Sequence, residues 1–235
     1  MIDLSLWFFL RSEDVKFKSV FDIIGPIMVG PSSSHTAGAA RIGLAARNLF
    51  GATPEHVDIY LFGSFKDTYK GHGTDVALLG GLLGFDTDDA RIIQAKAHAA
   101  EAGMQYQFIE LEETRSHPNT AILFLKKGDS RMSVEGISIG GGKMEIISID
   151  EYEINISGNN PAILVFHKDT FGTIGRITTI IGDNGINVAQ MNVSRKEKGN
   201  TALMTIEVDD VVESDIIDAI KTVDGVERVF IMDES

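Results

Sequence analysis

The 235-residue sequence contains no cysteine, and this absence excludes several kinds of chemistry from the chain itself. It can form no disulfide and can supply no thiolate to zinc or to an iron–sulfur cluster. Basic residues are also scarce, with 21 lysines and arginines against 34 aspartates and glutamates and a formal net charge of −13. Such a chain lacks the basic surface that nucleic acid and anionic membranes require, so neither is an expected partner.

The apolar segment at residues 1–10 is far too short to cross a bilayer, which takes roughly 20 residues. It carries Asp3 and lacks the basic start and small-residue cleavage site of a secretory signal. Residues 1–16 are therefore interpreted as a poorly ordered extension or a start codon assigned too early. An amphipathic segment that binds a partner is the alternative. A cytoplasmic location is the default expectation.

The composition is that of a globular protein, with 43 % hydrophobic and 23 % charged residues. The best domain boundary is residues 155–161, a polar, turn-forming segment that ends in proline, so we expect two domains. Before the boundary, the patterns predict helices at 36–50, 76–83 and 90–103 and strands at 57–65, 106–111, 120–126, 131–138 and 143–149. After it, they predict strands at 162–167, 186–195, 201–208 and 226–232 and helices at 173–181 and 213–223.

The elements after the boundary follow the order βαββαβ, which is the ferredoxin-like split arrangement. A four-stranded sheet of this kind carries helices on one face and leaves the other face open. We expect the open face or an edge strand to be paired with another domain or with a second copy of the chain. The predicted fold class is therefore α+β, with a mixed α/β domain followed by a ferredoxin-like domain.

A loop rich in hydroxyl groups precedes the first predicted helix. The start of a helix presents backbone N–H groups and a positive dipole end, which suit a carboxylate or a phosphate. An N-cap needs only one hydroxyl, and a simple cap is the alternative interpretation. Four hydroxyls and an imidazole favour an anion- or substrate-binding loop. Its members are Ser32, Ser33, Ser34, His35 and Thr36.

Two further patterns resemble functional motifs but lack the required context. The run from Gly136 through Ser138 to Gly140 matches Gly-x-Ser-x-Gly, yet a second strand follows it where a nucleophile elbow needs a helix. The acidic run at residues 86–89 lacks the glycine and terminal glutamate of an EF-hand loop. A serine hydrolase and a calcium site are therefore disfavoured.

Several long motifs in one order make the first 150 residues recognisable. They are Ser19-Val-Phe-Asp-Ile-Ile-Gly-Pro-Ile-Met, Gly30-Pro-Ser-Ser-Ser-His-Thr-Ala-Gly, Tyr69-Lys-Gly-His-Gly-Thr-Asp, His117-Pro-Asn-Thr and Gly136-Ile-Ser-Ile-Gly-Gly-Gly. Together they resemble the beta chain of the iron–sulfur-dependent bacterial L-serine dehydratase. The resemblance implies a beta-chain domain of substrate-binding type at residues 17–154 and a linker at 155–161.

The C-terminal part, residues 162–235, resembles an ACT domain, the small regulatory module of amino-acid metabolism. The resemblance rests on Leu164-Val-Phe-His-Lys-Asp-Thr-Phe-Gly-Thr-Ile and on the later Asp183-Asn-Gly-Ile-Asn-Val. Asp169 stands where the family has Asn, and Phe171 where it has Pro. A carboxylate cannot donate a hydrogen bond to a ligand carboxylate, so both departures count against effector binding. The effector site that the resemblance implies comprises His167, Asp169, Gly172 and Asn187.

The family resemblance implies that L-serine is converted to pyruvate and ammonia. In such enzymes a [4Fe–4S] cluster binds the substrate hydroxyl as a Lewis acid, and its cysteines belong to the alpha portion. Because this chain has no cysteine, we expect a separate alpha chain to hold the cluster and this chain to hold no metal. The expected partners are that alpha chain, L-serine, and a second copy through the ACT domain.

Removal of the α-proton of serine needs a base that titrates near neutral pH, and histidine is the natural candidate. His72 lies between two glycines, so its loop can approach a ligand closely, and the family resemblance also implies that it accepts the proton. An exposed histidine in a glycine-rich turn is the alternative. The resemblance further implies that the hydroxyl loop binds the substrate carboxylate, joined by Gly73, Thr74 and Asp75. His117, Asn119 and Thr120 form a second candidate polar site, or simply a turn before a strand.

A function of a different class is left open by the sequence. An anion-binding domain joined to an ACT domain is also the composition of a non-catalytic amino-acid sensor. Such a sensor predicts measurable serine binding by the isolated chain and no effect of the loops on any partner's turnover.

Overall fold

The computed structural model describes residues 34–232, and of Ser34 and His35 it describes the backbone only. The predicted extension at 1–16 and two members of the hydroxyl loop, Ser32 and Ser33, lie outside the described residues. The helices are α1 (Ser34–Phe50), α2 (Gly63–His72), α3 (Thr74–Leu83), α4 (Ala95–Glu101), α5 (Thr173–Asp183) and α6 (Ser214–Lys221), with a 3₁₀ turn at Ala90–Gln94. The strands are β1 (His56–Phe62), β2 (Gln105–Glu110), β3 (Asn119–Lys127), β4 (Ser130–Gly140), β5 (Lys143–Ile149), β6 (Tyr152–Ile156), β7 (Ala162–Lys168), β8 (Val188–Arg195), β9 (Thr201–Val208) and β10 (Val226–Met232).

The N-terminal domain, residues 34–156, is built on a six-stranded sheet in the order β2-β1-β3-β4-β5-β6. The pair β1–β2 is parallel and the other neighbours are antiparallel. Alternate residues such as Val57, Ile59 and Leu61 of β1 are fully buried and belong to the same core cluster as residues of α1 and α3. The intervening positions, including Phe124 on β3, line the opposite face, where Phe124 is 47 % exposed.

Helices α1 and α3 cross with their backbones in direct contact, and glycine makes this crossing possible. A Cβ added at Gly81 would overlap the carbonyl oxygen of Ala40 and lie 2.5 Å from the amide nitrogen of Leu44. A Cβ added at Gly43 would overlap the carbonyl oxygen of Leu78. The glycines therefore allow an approach that any side chain would prevent, and they set the first turn of α1 beside the start of α3.

The C-terminal domain, residues 162–232, has an antiparallel sheet in the order β10-β7-β9-β8. One face packs on α5 and α6 through residues such as Val165, Ile177 and Ile217. The opposite face, which includes Leu164 and Phe166, belongs to the hydrophobic core of the N-terminal domain. The expectation that another domain covers this face is therefore confirmed.

Polar and aromatic contacts also join the two domains. The buried carboxylate of Glu207 on β9 accepts hydrogen bonds from the backbone N–H and the hydroxyl of Ser157, at 3.2 and 3.3 Å. Tyr152 lies edge-on to Phe166, with ring centroids 5.6 Å apart. Strand β6 and the residues that follow it therefore both contact the sheet of the C-terminal domain.

Most predicted elements are present, but two local interpretations were wrong and one strand was missed. The strand predicted at 57–65 ends at Phe62, where α2 begins. The loop predicted at 71–75 instead contains the end of α2 and the start of α3, separated by Gly73 alone. Strand β6 was not predicted. The helix predicted at 90–103 is a 3₁₀ turn (Ala90–Gln94) followed by α4. No helix among residues 34–232 is long and apolar enough to cross a membrane.

The α1–α3 crossing predicts that Gly81→Ala destabilises the fold. The added methyl has to displace backbone rather than a flexible side chain, so a cost of about 1–3 kcal/mol in unfolding free energy is expected. Urea unfolding followed by circular dichroism measures the loss. Gly175→Ala is the matched control, because a Cβ at Gly175 in α5 meets nothing within 4 Å and alanine favours a helix. Equal stability of the two variants would contradict the account.

Candidate active site

One hydrogen bond joins the hydroxyl loop to the turn that carries His72, the two motifs selected from the sequence. The hydroxyl of Thr36, in the first turns of α1, donates to the carbonyl oxygen of His72 at 2.9 Å. Thr36 is only 1 % exposed, whereas His72 is exposed. His72 is the last residue of α2, and carbonyls at a helix end lack an intrahelical partner. The hydroxyl therefore satisfies this carbonyl and attaches the end of α2 to α1.

The turn that carries His72 is a single residue long. Gly73 has φ 75° and ψ 16°, a left-handed conformation that glycine adopts without strain, and it ends α2 and begins α3 at once. Thr74 and Asp75 follow and are buried. The imidazole thus projects from a sharp corner whose following residues are inside the protein.

Asp75 has both carboxylate oxygens engaged within the chain. Oδ1 accepts the backbone N–H of Val76 at 2.9 Å, and Oδ2 lies 2.5 Å from Nζ of Lys96 on α4. The hydrogen bond to Asp75 raises the pKa of Lys96. Asp75 therefore anchors the start of α3, and Lys96 is a member of this region that the sequence did not indicate.

The second candidate polar site, His117 to Thr120, forms a compact turn before β3. The Thr120 hydroxyl donates to the His117 carbonyl at 2.6 Å, and the Asn119 backbone N–H points to Nδ1 of His117 at 3.1 Å. The Asn119 side chain donates to the Ser138 carbonyl at 3.3 Å. Asn119 also bridges to Gly63 at the start of α2. This turn therefore contacts both the start of α2 and strand β4.

Ser138 connects this turn to the first helix. It is fully buried on β4, and Gly38 of α1 packs so closely that a Cβ there would overlap its hydroxyl oxygen. The motif Gly-x-Ser-x-Gly lies wholly within β4 and leads into β5, so it forms no nucleophile elbow. The glycine-flanked serine was the available signal for this contact, but in the sequence the run was interpreted only as a family motif and as a disfavoured nucleophile elbow.

Five buried side-chain polar atoms have no hydrogen-bond partner among the described residues. Unpartnered buried polar groups are rare and call for an explanation such as a ligand or a catalytic task. They are Arg41 Nε, Thr74 Oγ1, Asn119 Oδ1 and Ser138 Oγ in the N-terminal domain and His167 Nε2 in the C-terminal domain.

In the C-terminal domain, Asp169 is held by the β8–β9 hairpin. Its carboxylate accepts the Gly199 N–H at 3.1 Å and the Arg195 guanidinium at 2.6 Å, and these two interactions lower its pKa. Gly172, with φ 81°, lies at the start of α5, and Phe171 beside it is fully exposed. His167 is buried and donates from Nδ1 to the Lys168 carbonyl at 2.8 Å.

Asn187 is not brought to the other residues of the implied effector site. Its side chain donates to Asp209 at 2.6 Å, just beyond one end of β9, whereas Asp169 contacts Asn200 just before the other end. The eight-residue strand between them spans about 26 Å. Within one chain the four residues therefore form no single site.

The donor set of this chain does not fit a metal cluster. The sequence has no cysteine, and residues 34–232 contain no group of three or more histidine, aspartate or glutamate side chains placed to hold a metal ion. The sequence therefore offers no thiolate to an iron–sulfur cluster.

The fold and site define a two-domain α+β protein in which the backbone carbonyl of an exposed histidine accepts a hydrogen bond from a buried threonine, and whose C-terminal module is ferredoxin-like. A family model described as serine dehydratase beta chain matches residues 19–146, and one described as ACT domain matches residues 162–225. The chain belongs to the serine dehydratase beta chain family, and its C-terminal domain is an ACT domain.

Individual relatives agree with this assignment. The chain is 50 % identical over 215 residues to a Bacillus subtilis protein named probable L-serine dehydratase, beta chain, covering 92 % of this chain and 98 % of the relative. It is 38 % identical over 212 residues to the L-serine dehydratase beta chain of Peptoniphilus asaccharolyticus, covering 89 % and 94 %. A D-3-phosphoglycerate dehydrogenase of Synechocystis shares 26 % identity over 195 residues, covering 82 % of this chain but 35 % of the relative.

The contacts of Asp169 predict a pH-dependent contribution to stability. Because its pKa is lowered in the folded state, the contribution is complete above the unfolded value of about 3.9 and is lost as the pH falls through the folded value. The stability difference between wild type and Asp169→Asn, measured by urea unfolding from pH 7 to pH 2.5, should therefore shrink below about pH 4. Asp210→Asn, at an exposed turn, is the control. A difference that stays constant over this range would contradict the assignment.

Proposed function

We propose that this chain is the beta subunit of an iron–sulfur L-serine ammonia-lyase, which converts L-serine to pyruvate and ammonia. Family membership and the names of the two beta-chain relatives support the reaction. The observation that carries the proposal is the exposed His72, whose backbone carbonyl accepts a hydrogen bond from the buried Thr36 hydroxyl at the start of α1.

In this proposal His72 is the general base. A ring nitrogen of His72 takes the proton from Cα of serine, and the electron pair of that C–H bond forms the Cα–Cβ double bond as the hydroxyl leaves Cβ as hydroxide. A Lewis-acidic cluster on the alpha chain would accept the hydroxide. The resulting aminoacrylate tautomerises to an imine, and water hydrolyses it to pyruvate and ammonia. A histidine suits this step because its charge changes near neutral pH, and its exposure leaves the imidazole open to a substrate. The backbone N–H groups at the start of α1 bind the substrate carboxylate together with residues 32–35 of the hydroxyl loop.

The cluster belongs to a separate alpha chain, because this chain offers neither thiolates nor, among its described residues, a set of metal ligands. This chain contributes binding of the carboxylate and acceptance of the proton. The active site is therefore completed where the start of α1 and the His72 turn meet the alpha chain.

The ACT domain has a supporting role in assembly or regulation in this proposal. Self-association through it fits the exposed edge strand β8, where Met191 and Val193 are among the exposed large hydrophobic residues of the described chain. Asp169 is engaged by Arg195 and Gly199, so an effector bound at this loop has to displace an existing ion pair or contact other groups.

The non-catalytic amino-acid sensor is the second candidate. The relation to a phosphoglycerate dehydrogenase, which extends over 82 % of this chain, favours it, because that relative is named for a different reaction. Under this alternative the isolated chain binds serine, and loop variants leave turnover by any partner unchanged.

Reconstitution tests the proposal. The purified chain is mixed with its alpha partner, and pyruvate formation from L-serine is followed. Because general-base catalysis contributes typically 10²–10⁴-fold, His72→Ala should lower turnover by at least about 100-fold. His56→Ala is the control, since His56 pairs with Asp58 at 2.9 Å on β1 and should leave turnover unchanged. Full activity of the alpha chain alone, or of the His72 variant, would refute the assignment.

A further inference from the structure

Thr36 belongs to the hydroxyl loop to which the sequence assigned substrate binding, but its contacts give it a different task. We infer that Thr36 is a positioning residue that holds the His72 corner in place through its hydrogen bond to the His72 carbonyl. This inference rests on the proposed function, because it concerns the base that the proposed reaction uses.

Thr36 is too deeply buried to bind the substrate directly. The residue is 1 % exposed, and its hydroxyl proton is used in the 2.9 Å bond to a residue 36 positions later in the chain. A hydroxyl has one proton to donate, so this group cannot also donate to a substrate carboxylate. The hydroxyl therefore acts on the backbone of His72 rather than on the substrate.

The rest of the corner is fixed independently of this bond. On the far side, Asp75 holds the start of α3 through Val76 and Lys96. Beneath it, the glycine crossing of α1 and α3 sets the distance between Thr36 and the corner. The Thr36 hydroxyl adds one further hydrogen bond at the last residue of α2, so losing it should let the His72 corner shift while the crossing and the fold persist.

Two substitutions at Thr36 separate positioning from packing. Thr36→Val keeps the shape of the side chain but removes the hydroxyl, whereas Thr36→Ser keeps the hydroxyl and removes the methyl group. If the hydrogen bond matters, the valine variant is the impaired one and serine restores function. If only packing matters, the order is reversed, because serine leaves the larger void.

The kinetic experiment uses the chain reconstituted with its alpha partner. Misplacement of a catalytic group by about 1 Å can cost on the order of 100-fold in rate. We expect Thr36→Val to lower kcat at least tenfold with KM within about twofold, and Thr36→Ser to stay within about threefold of wild type. Thr222→Val is the matched control, since Thr222 likewise donates its hydroxyl to a carbonyl at a helix end, that of Ala219 at 2.6 Å, in the ACT domain.

A spectroscopic measurement on the full chain alone accompanies the kinetics. The NMR signal of the His72 ring should shift or broaden in Thr36→Val, and remain as in wild type in Thr36→Ser and Thr222→Val. An unchanged ring signal in Thr36→Val, or wild-type kcat in that variant, overturns the inference. If instead His72→Ala keeps full turnover, the proposed function fails, and the ring signal still decides whether Thr36 positions His72.

Discussion

The close crossing of α1 and α3 is the constraint on which the rest of the N-terminal domain depends. Gly43 and Gly81 remove the side chains that would separate the two backbones. The crossing fixes the first turn of α1 relative to the residue that follows α2, so Thr36 can reach the His72 carbonyl. On the other side of the same turn, Gly38 packs on Ser138. Three glycines thus place two distant sequence motifs and a strand around one helix start.

In the proposed function this arrangement lets the chain take part in an elimination, although residues 34–232 contain no group of side chains placed to hold a metal ion. The exposed imidazole is the proposed proton acceptor, and the start of α1 is the proposed place for the substrate carboxylate. In the proposed function, another chain supplies the group that activates the leaving hydroxyl. The ACT domain shares a hydrophobic core with the N-terminal domain.

Local sequence patterns were sufficient to predict much of the fold. Glycine marked the ends of α1 and α3 at Gly51 and Gly84, where φ is 76° and 87°. Alternation of apolar residues placed β5, β9 and β10 at their observed bounds. Helix α2 was missed because its sequence has two glycines and little helical periodicity. It is held instead by tertiary contacts, in which Phe65 and Tyr69 are buried and the Tyr69 ring stacks on Phe108.

Site prediction from the sequence found the motifs but not their geometry. His72 and Thr36 were both selected as candidate site residues. A pattern of residue types cannot show that the Thr36 hydroxyl donates to the His72 carbonyl. The grouping of Asp169 with Asn187 illustrates the same limit, because sequence order does not reveal that β9 separates them. Ser138 and Lys96 were missed, since burial against α1 and pairing with Asp75 exist only in the folded chain.

Hydrogen–deuterium exchange of this chain with and without the proposed alpha chain tests the central claim most directly, because it locates the completed site without requiring turnover. The account predicts that added protection appears at residues 34–38 and at residues 71–75 together. Protection confined to the exposed sheet face around Phe124 or to the ACT domain, with both of those segments unchanged, would contradict it.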